Sequence, residues 1–259
     1  MTPPSVLIHP DQDVLASAVA ARLVTRIVDA QAARGSASVV VTGGGVGTAV
    51  LAAVAATPAR DAVDWGSLDV WWGDERFLPS GDPERNETGA RTALLAHVAV
   101  DPARVHPMPS SDGPDGDDPE AAAARYVAAL RAAARPGDSD AVPSFDVLML
   151  GVGPDAHVAS LFPGMPALHD ERPAVAVHGA PKPPPTRISL TFPSLRAARE
   201  VWLLAAGASK AKAVRLGLSQ TPLGQAPVVG AQGRERTLFL LDRAAASELP
   251  SGVGRGASA

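Results

Sequence analysis

The 259-residue sequence contains no cysteine, few aromatic residues and no stretch rich in basic residues. The absence of cysteine excludes a disulfide scaffold, cysteine-ligated zinc, iron–sulfur clusters and a thiol nucleophile. Because Phe, Trp and Tyr make up only 4% of the residues, the core has to be built from Ala, Val and Leu. The chemistry of this chain therefore has to come from its histidines, carboxylates and cations.

The charge balance argues against a nucleic-acid partner. Lys and Arg number 23 and Asp and Glu number 27, which gives a net charge of −4, whereas phosphate binding along a nucleic acid needs clustered cations. Hydrophobic residues make up 46% and charged residues 19%, which is typical of a globular core. The N-terminus has neither the basic nor the apolar region of a secretion signal, so we expect a cytoplasmic protein.

One uncharged run, residues 35–59, is long enough to suggest a membrane span. The residues Thr42-Gly43-Gly44-Gly45 interrupt this run, and Pro58 lies at its end. A strand, a glycine turn and a short helix explain the run better, so we expect no membrane association.

Apolar runs alternate with segments of helical spacing along the chain. Asp11 is suited to cap a first helix and Gly35 to end it, with a predicted buried face at Val14, Ala18, Ala21, Val24 and Val28. The predicted helices cover 12–34, 48–56, 86–98, 119–134 and 209–218, and the predicted strands cover 6–8, 38–41, 68–72, 145–150, 174–177, 187–191, 200–205 and 237–241.

This alternation predicts an α/β fold, in which a mostly parallel sheet carries helices on both faces. No linker-like segment divides the chain, so we expect a single domain over 1–259, with its core at 5–242 and a flexible tail at 243–259. In such sheets the ligand crevice lies beyond the carboxyl ends of the strands. Three chemically rich segments, 42–47, 73–76 and 151–157, each follow a predicted strand.

The first segment is the glycine-rich stretch Thr42–Gly47. Glycines allow backbone N–H groups to approach an anion closely, and the start of a helix adds a favourable field. No lysine of a phosphate-binding loop lies nearby, and Thr48 breaks the dinucleotide-binding spacing. A tight turn that needs positive φ is the alternative, but the number of glycines favours an anion site.

The second segment is Trp71-Trp72-Gly73-Asp74-Glu75-Arg76, with Asn86 further along the chain. A carboxylate and a guanidinium at the end of a strand can orient a polar substrate. The forked guanidinium of Arg76 suits a phosphate or a developing oxyanion. Taken alone, this cluster is better explained as a surface ion pair.

The third segment runs from Gly151 to Gly164 and contains Asp155 and His157. It formally matches a dinucleotide-binding pattern, but Pro163 ends the following helix early and Asp155 puts negative charge where a pyrophosphate would lie. A neutral imidazole, whose ordinary pKa is about 6.5, can act as a general base near pH 7. A structural role for His157 is the alternative.

The basic residues Lys182, Arg187 and Lys210 come from three later segments, and each is either a ligand-binding cation or a solvated surface charge. For Lys182 the sequence does not favour either role. No histidine pair has the helical spacing of metal ligands, and no Gly-x-Ser-x-Gly elbow occurs. Neither a metal site nor a serine hydrolase is therefore expected.

Taken in order, these segments resemble the 6-phosphogluconolactonases of the glucosamine-6-phosphate deaminase/6-phosphogluconolactonase superfamily. The matching pieces are VVVTGGGVG, WWGDERFLP with Asn86, FDVLMLGVGPDAHVASLFPG, Lys-Pro-Pro with Arg-Ile-Ser, and Gly-x-x-Lys-Ala at 207–211. The resemblance spans about residues 5–242. One departure is Ala156, where the family usually has Gly; if this position needs positive φ, Ala costs about 1 kcal/mol.

The resemblance implies hydrolysis of 6-phospho-D-glucono-1,5-lactone to 6-phospho-D-gluconate in the pentose phosphate pathway, without metal or organic cofactor, by a monomer or small homo-oligomer. It implies that His157 activates water, that Arg76 stabilises the oxyanion, and that either Asp155 or Asp74 orients the imidazole or the sugar hydroxyls. The substrate- and phosphate-binding residues are then expected to be Gly44, Gly45, Asn86, Arg187 and Lys210.

Three alternatives remain beside this hypothesis. An amino-sugar phosphate deaminase or isomerase of the same superfamily would use an Asp at the position of Asp74 to abstract a proton. A non-catalytic sugar-phosphate-binding protein would usually carry a further interaction module, for which this chain has no spare length. A dinucleotide-dependent oxidoreductase is disfavoured by Pro163 and Asp155.

Overall fold

The computed structural model describes residues 3–135, 137–138, 142–250 and 253. Its centre is a parallel sheet of seven strands, which confirms the predicted α/β fold with a mostly parallel sheet. In their order across the sheet the strands are β1 (Ser5–His9), β10 (Arg236–Asp242), β9 (Glu200–Ala205), β6 (Val147–Gly151), β2 (Ala37–Val41), β3 (Leu68–Trp72) and β5 (Val105–His106).

A second, antiparallel sheet of three strands lies beside the first. Its order is β4 (Asp74–Arg76), β8 (Arg187–Leu190) and β7 (Ala174–Val177). The sequence predicted β7 and β8 but neither β4 nor β5, since strands of three and two residues are too short to show a periodic pattern. Residues 74–76 were expected in a loop after β3, and the structure places them in the second sheet.

The helices of the described chain are α1 (Gln12–Arg34), α2 (Gly44–Ala56), α3 (Asn86–Ala93), α4 (Pro119–Ala133), α5 (Phe192–Leu195) and α6 (Ala211–Gly217). The predicted ends of α1 are confirmed. The carboxylate of Asp11 accepts the Val14 N–H at 2.9 Å, and Gly35 adopts a φ of 77° at the carboxyl end.

The predicted buried face of α1 is confirmed at Val24, which is buried, but is wrong at Val14. Val14 is 44% exposed, and the helix instead buries a row that includes Leu15, Val19, Leu23 and Ile27. Both rows have helical spacing, but the second contains the larger Leu and Ile side chains, which remove more apolar surface from water.

The glycine segment differs from the predicted turn, because α2 begins at Gly44 instead of at 48. Two of its glycines are required by close packing. A Cβ on Gly43 would lie 1.9 Å from Asn86 Oδ1, and a Cβ on Gly47 would lie 2.5 Å from the carbonyl oxygen of Thr42. The glycines thus bring the start of α2 against its neighbours.

The predicted flexible tail begins too early. Residues 243–248 form successive turns, in which Ala245 is fully buried and its N–H donates to Asp242 Oδ1 at 2.7 Å. Glu248 pairs with Arg215 of α6 at 3.0 Å. Apart from Val253, the rest of the predicted tail lies outside the described residues.

The topology brings the three chemically rich segments to one place. Segments 42–47, 73–76 and 151–157 leave the carboxyl ends of β2, β3 and β6, which are adjacent in the sheet. After β2 the chain continues into β3 and β5 on one side of β2, whereas β6 and β9 lie on the other side. At such a reversal of strand order, the loops that follow the strands separate and leave a crevice between them. No helix in the part of the chain described here is long and apolar enough to cross a membrane.

Candidate active site

A cleft of about 470 Å³ opens at this reversal point. It receives residues from both sheets, from the start of α2 and from the loops after β6 and β9. Asp155 pairs with the cleft histidine from just outside the lining. The other candidate residues of the sequence all line the cleft: Gly44, Gly45, Asp74, Arg76, Asn86, His157, Arg187 and Lys210.

His157 and Asp155 form a hydrogen-bonded pair. The Nδ1–H of His157 donates to Asp155 Oδ1 at 2.5 Å, and the ring packs against Phe162 with centroids 4.5 Å apart. His157 lines the cleft, and among the described residues its Nε2 makes no hydrogen bond. Of the two carboxylates that the sequence offered as supports for His157, the structure pairs it with Asp155.

Asp155 is held in its ionised form. Burial raises the pKa of Asp155, but the hydrogen bond from His157 outweighs this effect, and the pKa of Asp155 is lowered to about 2. The ammonium group of Lys182, 3.9 Å from Asp155 Oδ1, acts in the same direction. A carboxylate beside Nδ1 favours the tautomer of a neutral imidazole in which the hydrogen lies on Nδ1.

The loop after β6 explains why glycine stands at position 153. The Gly153 N–H donates to the carbonyl oxygen of His157 at 2.9 Å, which folds the loop back on itself. A Cβ on Gly153 would lie 2.0 Å from His157 Nδ1 and 2.6 Å from Asp155 Oδ1. Gly153 therefore makes room for the pair, a role that the Gly-x-Gly pattern signalled but that the sequence analysis did not assign.

Position 156, where the family usually has Gly, does adopt a positive φ in this chain. Ala156 has a φ of 65° and is fully buried, and Ala159 in the same loop has a φ of 49°. An alanine in the left-handed region costs about 1 kcal/mol relative to glycine. The loop accepts this strain at two positions beside His157.

Asp74, Arg76 and Asn86 form one hydrogen-bonded network on a wall of the cleft. The Asn86 carboxamide donates from Nδ2 to the Asp74 carbonyl oxygen at 2.8 Å, and its Oδ1 accepts from Arg76 Nη1. Ser160 Oγ donates to Asp74 Oδ2 at 2.7 Å. Ser160 was missed in the sequence because it lies 86 positions from its partner.

Two guanidinium groups share this wall. Arg76 and Arg187 are direct partners in the antiparallel pairing of β4 with β8, so both side chains project from the same face of the small sheet. Burial lowers the pKa of Arg187, the nearby Asp74 opposes this, and the positive charge of Arg76 adds to it. Two adjacent guanidinium groups can bind an anion at this wall.

Arg187 also shapes the wall. Its Nε donates to the Pro184 carbonyl oxygen at 3.2 Å, and its Nη2 donates to the carbonyl oxygens of Lys182 and Pro183 at 3.1 and 3.2 Å. The side chain is almost completely buried. Arg187 thus holds the segment that carries Lys182 at the rim of the cleft.

The remaining anion-attracting groups are Lys210 and the start of α2. Burial lowers the pKa of Lys210, and the nearby positive charge of Lys182 lowers it further. Gly43 caps α2 without a side-chain hydrogen bond, so the first N–H groups of the helix, which include those of Gly44 and Gly45, are directed at the cleft.

The arrangement thus combines a histidine paired with a carboxylate, fixed polar groups and several cations around one cavity. Within the described ranges, no group of three or more His, Asp or Glu residues is arranged to hold a metal ion. A bound molecule with an anionic group and a polar, reactive carbon would meet all three elements at once.

Comparison with known proteins agrees with the sequence resemblance. Residues 10–239 match the family described as glucosamine-6-phosphate isomerases/6-phosphogluconolactonase. The chain is 62% identical over 257 residues to the 6-phosphogluconolactonase of Streptomyces coelicolor (99% of this chain, 98% of that one) and 48% identical to that of Mycobacterium tuberculosis (95% and 99%). The solved 6-phosphogluconolactonase of Trypanosoma brucei superposes with a TM-score of 0.81 at 27% identity (96% and 100%).

Proposed function

The chain belongs to the glucosamine-6-phosphate isomerase/6-phosphogluconolactonase family, and we propose that its cleft hydrolyses 6-phospho-D-glucono-1,5-lactone to 6-phospho-D-gluconate with His157 as the general base. The chain is a hydrolase, in keeping with the relatives it matches over its full length. This reaction is a step of the pentose phosphate pathway. The proposal concerns the substrate, the mechanism and the role of each residue.

In this mechanism Nε2 of His157 takes a proton from a water molecule as the water oxygen attacks the lactone carbonyl carbon. Asp155 accepts the Nδ1 hydrogen bond and stabilises the imidazolium that forms. The tetrahedral intermediate then collapses, the bond between the carbonyl carbon and the ring oxygen breaks, and the imidazolium returns its proton to that oxygen. The net reaction consumes one water molecule and opens the lactone ester.

Arg76 is assigned to the oxyanion of the tetrahedral intermediate. A preorganised donor of this kind is worth about 3–4 kcal/mol in the transition state. Asn86 holds the Arg76 guanidinium, and Asp74, fixed by Ser160 and Asn86, is available to accept hydrogen bonds from sugar hydroxyls. These fixed positions spare the reorganisation that free side chains would need.

The phosphate of the substrate is assigned to the N–H groups of Gly44 and Gly45, with Arg187 and Lys210. A helix start and two cations suit a dianion better than a neutral sugar. Anchoring the phosphate, which takes no part in the chemistry, orients the distant carbonyl carbon towards His157.

The observation that carries this proposal is the convergence of the His157–Asp155 pair and the cationic groups on one cleft. The test is to generate the lactone enzymatically and to follow its loss with and without the protein. We expect loss well above the spontaneous rate. An equal rate with and without protein would reject the lactonase reaction, and release of ammonia from glucosamine 6-phosphate in a parallel assay would support the deaminase alternative.

A cytoplasmic location, the absence of a nucleic-acid partner and a monomeric or small homo-oligomeric state stay predictions from the sequence. A sedimentation experiment on the purified chain, with and without 6-phosphogluconate, measures the last of these directly.

A further inference from the structure

Glu75 lies between two groups of the proposed site, Asp74 and Arg76, but it does not line the cleft. Because side chains alternate along a strand, Glu75 projects to the other face of the small sheet. It is only 1% exposed. A carboxylate is rarely buried to this degree without specific partners, so its contacts need a reason.

The Glu75 carboxylate accepts three backbone hydrogen bonds. Its Oε1 accepts the N–H groups of Arg76 and Asn86 at 2.8 and 2.7 Å, and its Oε2 accepts the N–H of Glu87 at 2.9 Å. Asn86 and Glu87 are the first two residues of α3, and the local capping residue, Arg85, supplies no side-chain cap. Glu75 is therefore the cap of α3, provided from a different element.

Arg85 stabilises the buried charge. It is as buried as Glu75, with Nη2 3.9 Å from Glu75 Oε2 and 3.2 Å from Glu87 Oε2. The same guanidinium donates to the carbonyl oxygens of Leu78 and Met108 at 3.2 and 2.7 Å. Glu75 and Arg85 thus form a buried layer that joins β4, the start of α3 and the loop after β5.

This layer sets the backbone positions of two groups of the site at once. The single oxygen Oε1 holds both the Arg76 N–H and the Asn86 N–H, and on the cleft side the Asn86 carboxamide holds the Arg76 guanidinium. A local Ser or Asp cap at position 85 would satisfy the helix start without any bond to β4. The cap used here couples the helix to the strand.

We propose that Glu75 is a positioning residue: its carboxylate, which accepts from Arg76 N and Asn86 N, fixes the Arg76 guanidinium where the oxyanion of the lactone intermediate forms. This inference rests on the proposed hydrolysis. Glu75 itself touches no substrate, and it acts through Arg76 and Asn86.

The test compares Glu75→Gln with Glu87→Gln. Gln at 75 keeps the size but turns an NH₂ group towards a backbone N–H. Glu87 is a matched control, because it pairs with the same Arg85 and holds no N–H of β4. We expect Glu75→Gln to lower kcat at least tenfold with KM changed less than threefold, and Glu87→Gln to stay within twofold of the wild type.

A double-mutant cycle separates positioning from general destabilisation. In an Arg76→Ala background we expect Glu75→Gln to lower kcat less than threefold. The same fold-loss in both backgrounds, or an unchanged kcat in the single variant, would overturn the proposal. If circular dichroism shows that Glu75→Gln is unfolded, the same two comparisons are made with Glu75→Asp, which keeps the charge on a shorter side chain.

Amide hydrogen exchange gives a readout that needs no lactone activity. In Glu75→Gln the amides of Asn86 and Glu87 are expected to exchange at least tenfold faster, while α4 is unchanged. Unchanged rates at these two amides would overturn the inference. If the wild-type protein does not hydrolyse the lactone, the proposed function is rejected. The exchange experiment then still tests whether Glu75 holds the backbone N–H groups of Asn86 and Glu87.

Discussion

The carboxamide of Asn86 occupies the space in which a side chain at Gly43 would lie: a Cβ built there would be 1.9 Å from Asn86 Oδ1. The same oxygen accepts a hydrogen bond from Arg76. The Asn86 side chain therefore contacts both the start of α2 and the Arg76 guanidinium of β4. This packing leaves little room for the Asn86 side chain to move.

We expect Gly43→Ala to lower kcat at least tenfold, because the new methyl group displaces the Asn86 side chain and the Arg76 guanidinium with it. Steady-state kinetics on the lactone measures this. Gly89→Ala is the control, since it lies in α3 and a Cβ there meets only Thr48 Oγ1 at 3.8 Å. Equal kcat values for the two variants would show that the Asn86 position does not matter for the reaction.

Lys210→Ala is expected to raise KM about tenfold and to change kcat less than threefold. The physical reason is that a hydrogen bond to a charged group is worth about 1.5–3 kcal/mol and that the phosphate lies away from the reacting carbonyl. Lys212→Ala, on the exposed side of α6, is the matched control. A KM for Lys210→Ala equal to that of the control would return Lys210 to an ordinary surface cation.

Relief of backbone strain is expected to stabilise the loop after β6. Ala159→Gly removes a left-handed alanine that is only partly buried, so the free energy of unfolding should rise by about 0.5–1 kcal/mol. Ala156→Gly should gain less, because it also loses a fully buried methyl group. The control, Ala52→Gly within α2, should lose about 0.5–1 kcal/mol. Urea unfolding measures the free energy of unfolding of all three variants. A lower value for Ala159→Gly than for the wild type would contradict backbone strain at this position.

The buried Glu75 should make stability depend on pH. Burial raises the pKa of Glu75 to about 7, although Arg85 and the three N–H groups act against this. Because the folded-state pKa lies above the ordinary value of 4.5, the contribution of this group to stability is complete below about pH 4.5 and is lost as the pH rises through 7.

Between pH 5 and pH 8 the wild type should therefore lose about 2–3 kcal/mol more unfolding free energy than Glu75→Gln. Denaturant unfolding of both proteins at the two pH values gives the difference, in which the other titrating groups cancel. Parallel pH dependences for the two proteins would show that Glu75 keeps an ordinary pKa.

Several strands could be predicted from the sequence because each is a mainly apolar run between polar or glycine residues. The predicted bounds of β3, β7 and β9 are those of the structure. The site segments followed from the same information, since the carboxyl ends of adjacent parallel strands meet at one edge. The fold and the location of the cleft were therefore accessible without coordinates.

Other features depend on contacts between distant parts of the chain. The polar strand β4 forms because β8 pairs with it more than a hundred residues later, and its three residues carry no strand pattern of their own. The roles of Ser160 and Glu75 arise only when Asp74 and the start of α3 are brought to them. Spacing along α1 was also ambiguous, because two apolar rows had helical periodicity and only packing selects one.

The most direct measurement of the central claim is the kcat of His157→Ala for lactone hydrolysis, with His178→Ala as the control. His178 is exposed and contacts Glu120 at 3.3 Å, away from the cleft. We expect kcat to fall by about 10²–10⁴ for His157→Ala, as for loss of a general base, with little change in the affinity for 6-phosphogluconate. A His157→Ala enzyme with the kcat of the control would contradict the role of this imidazole.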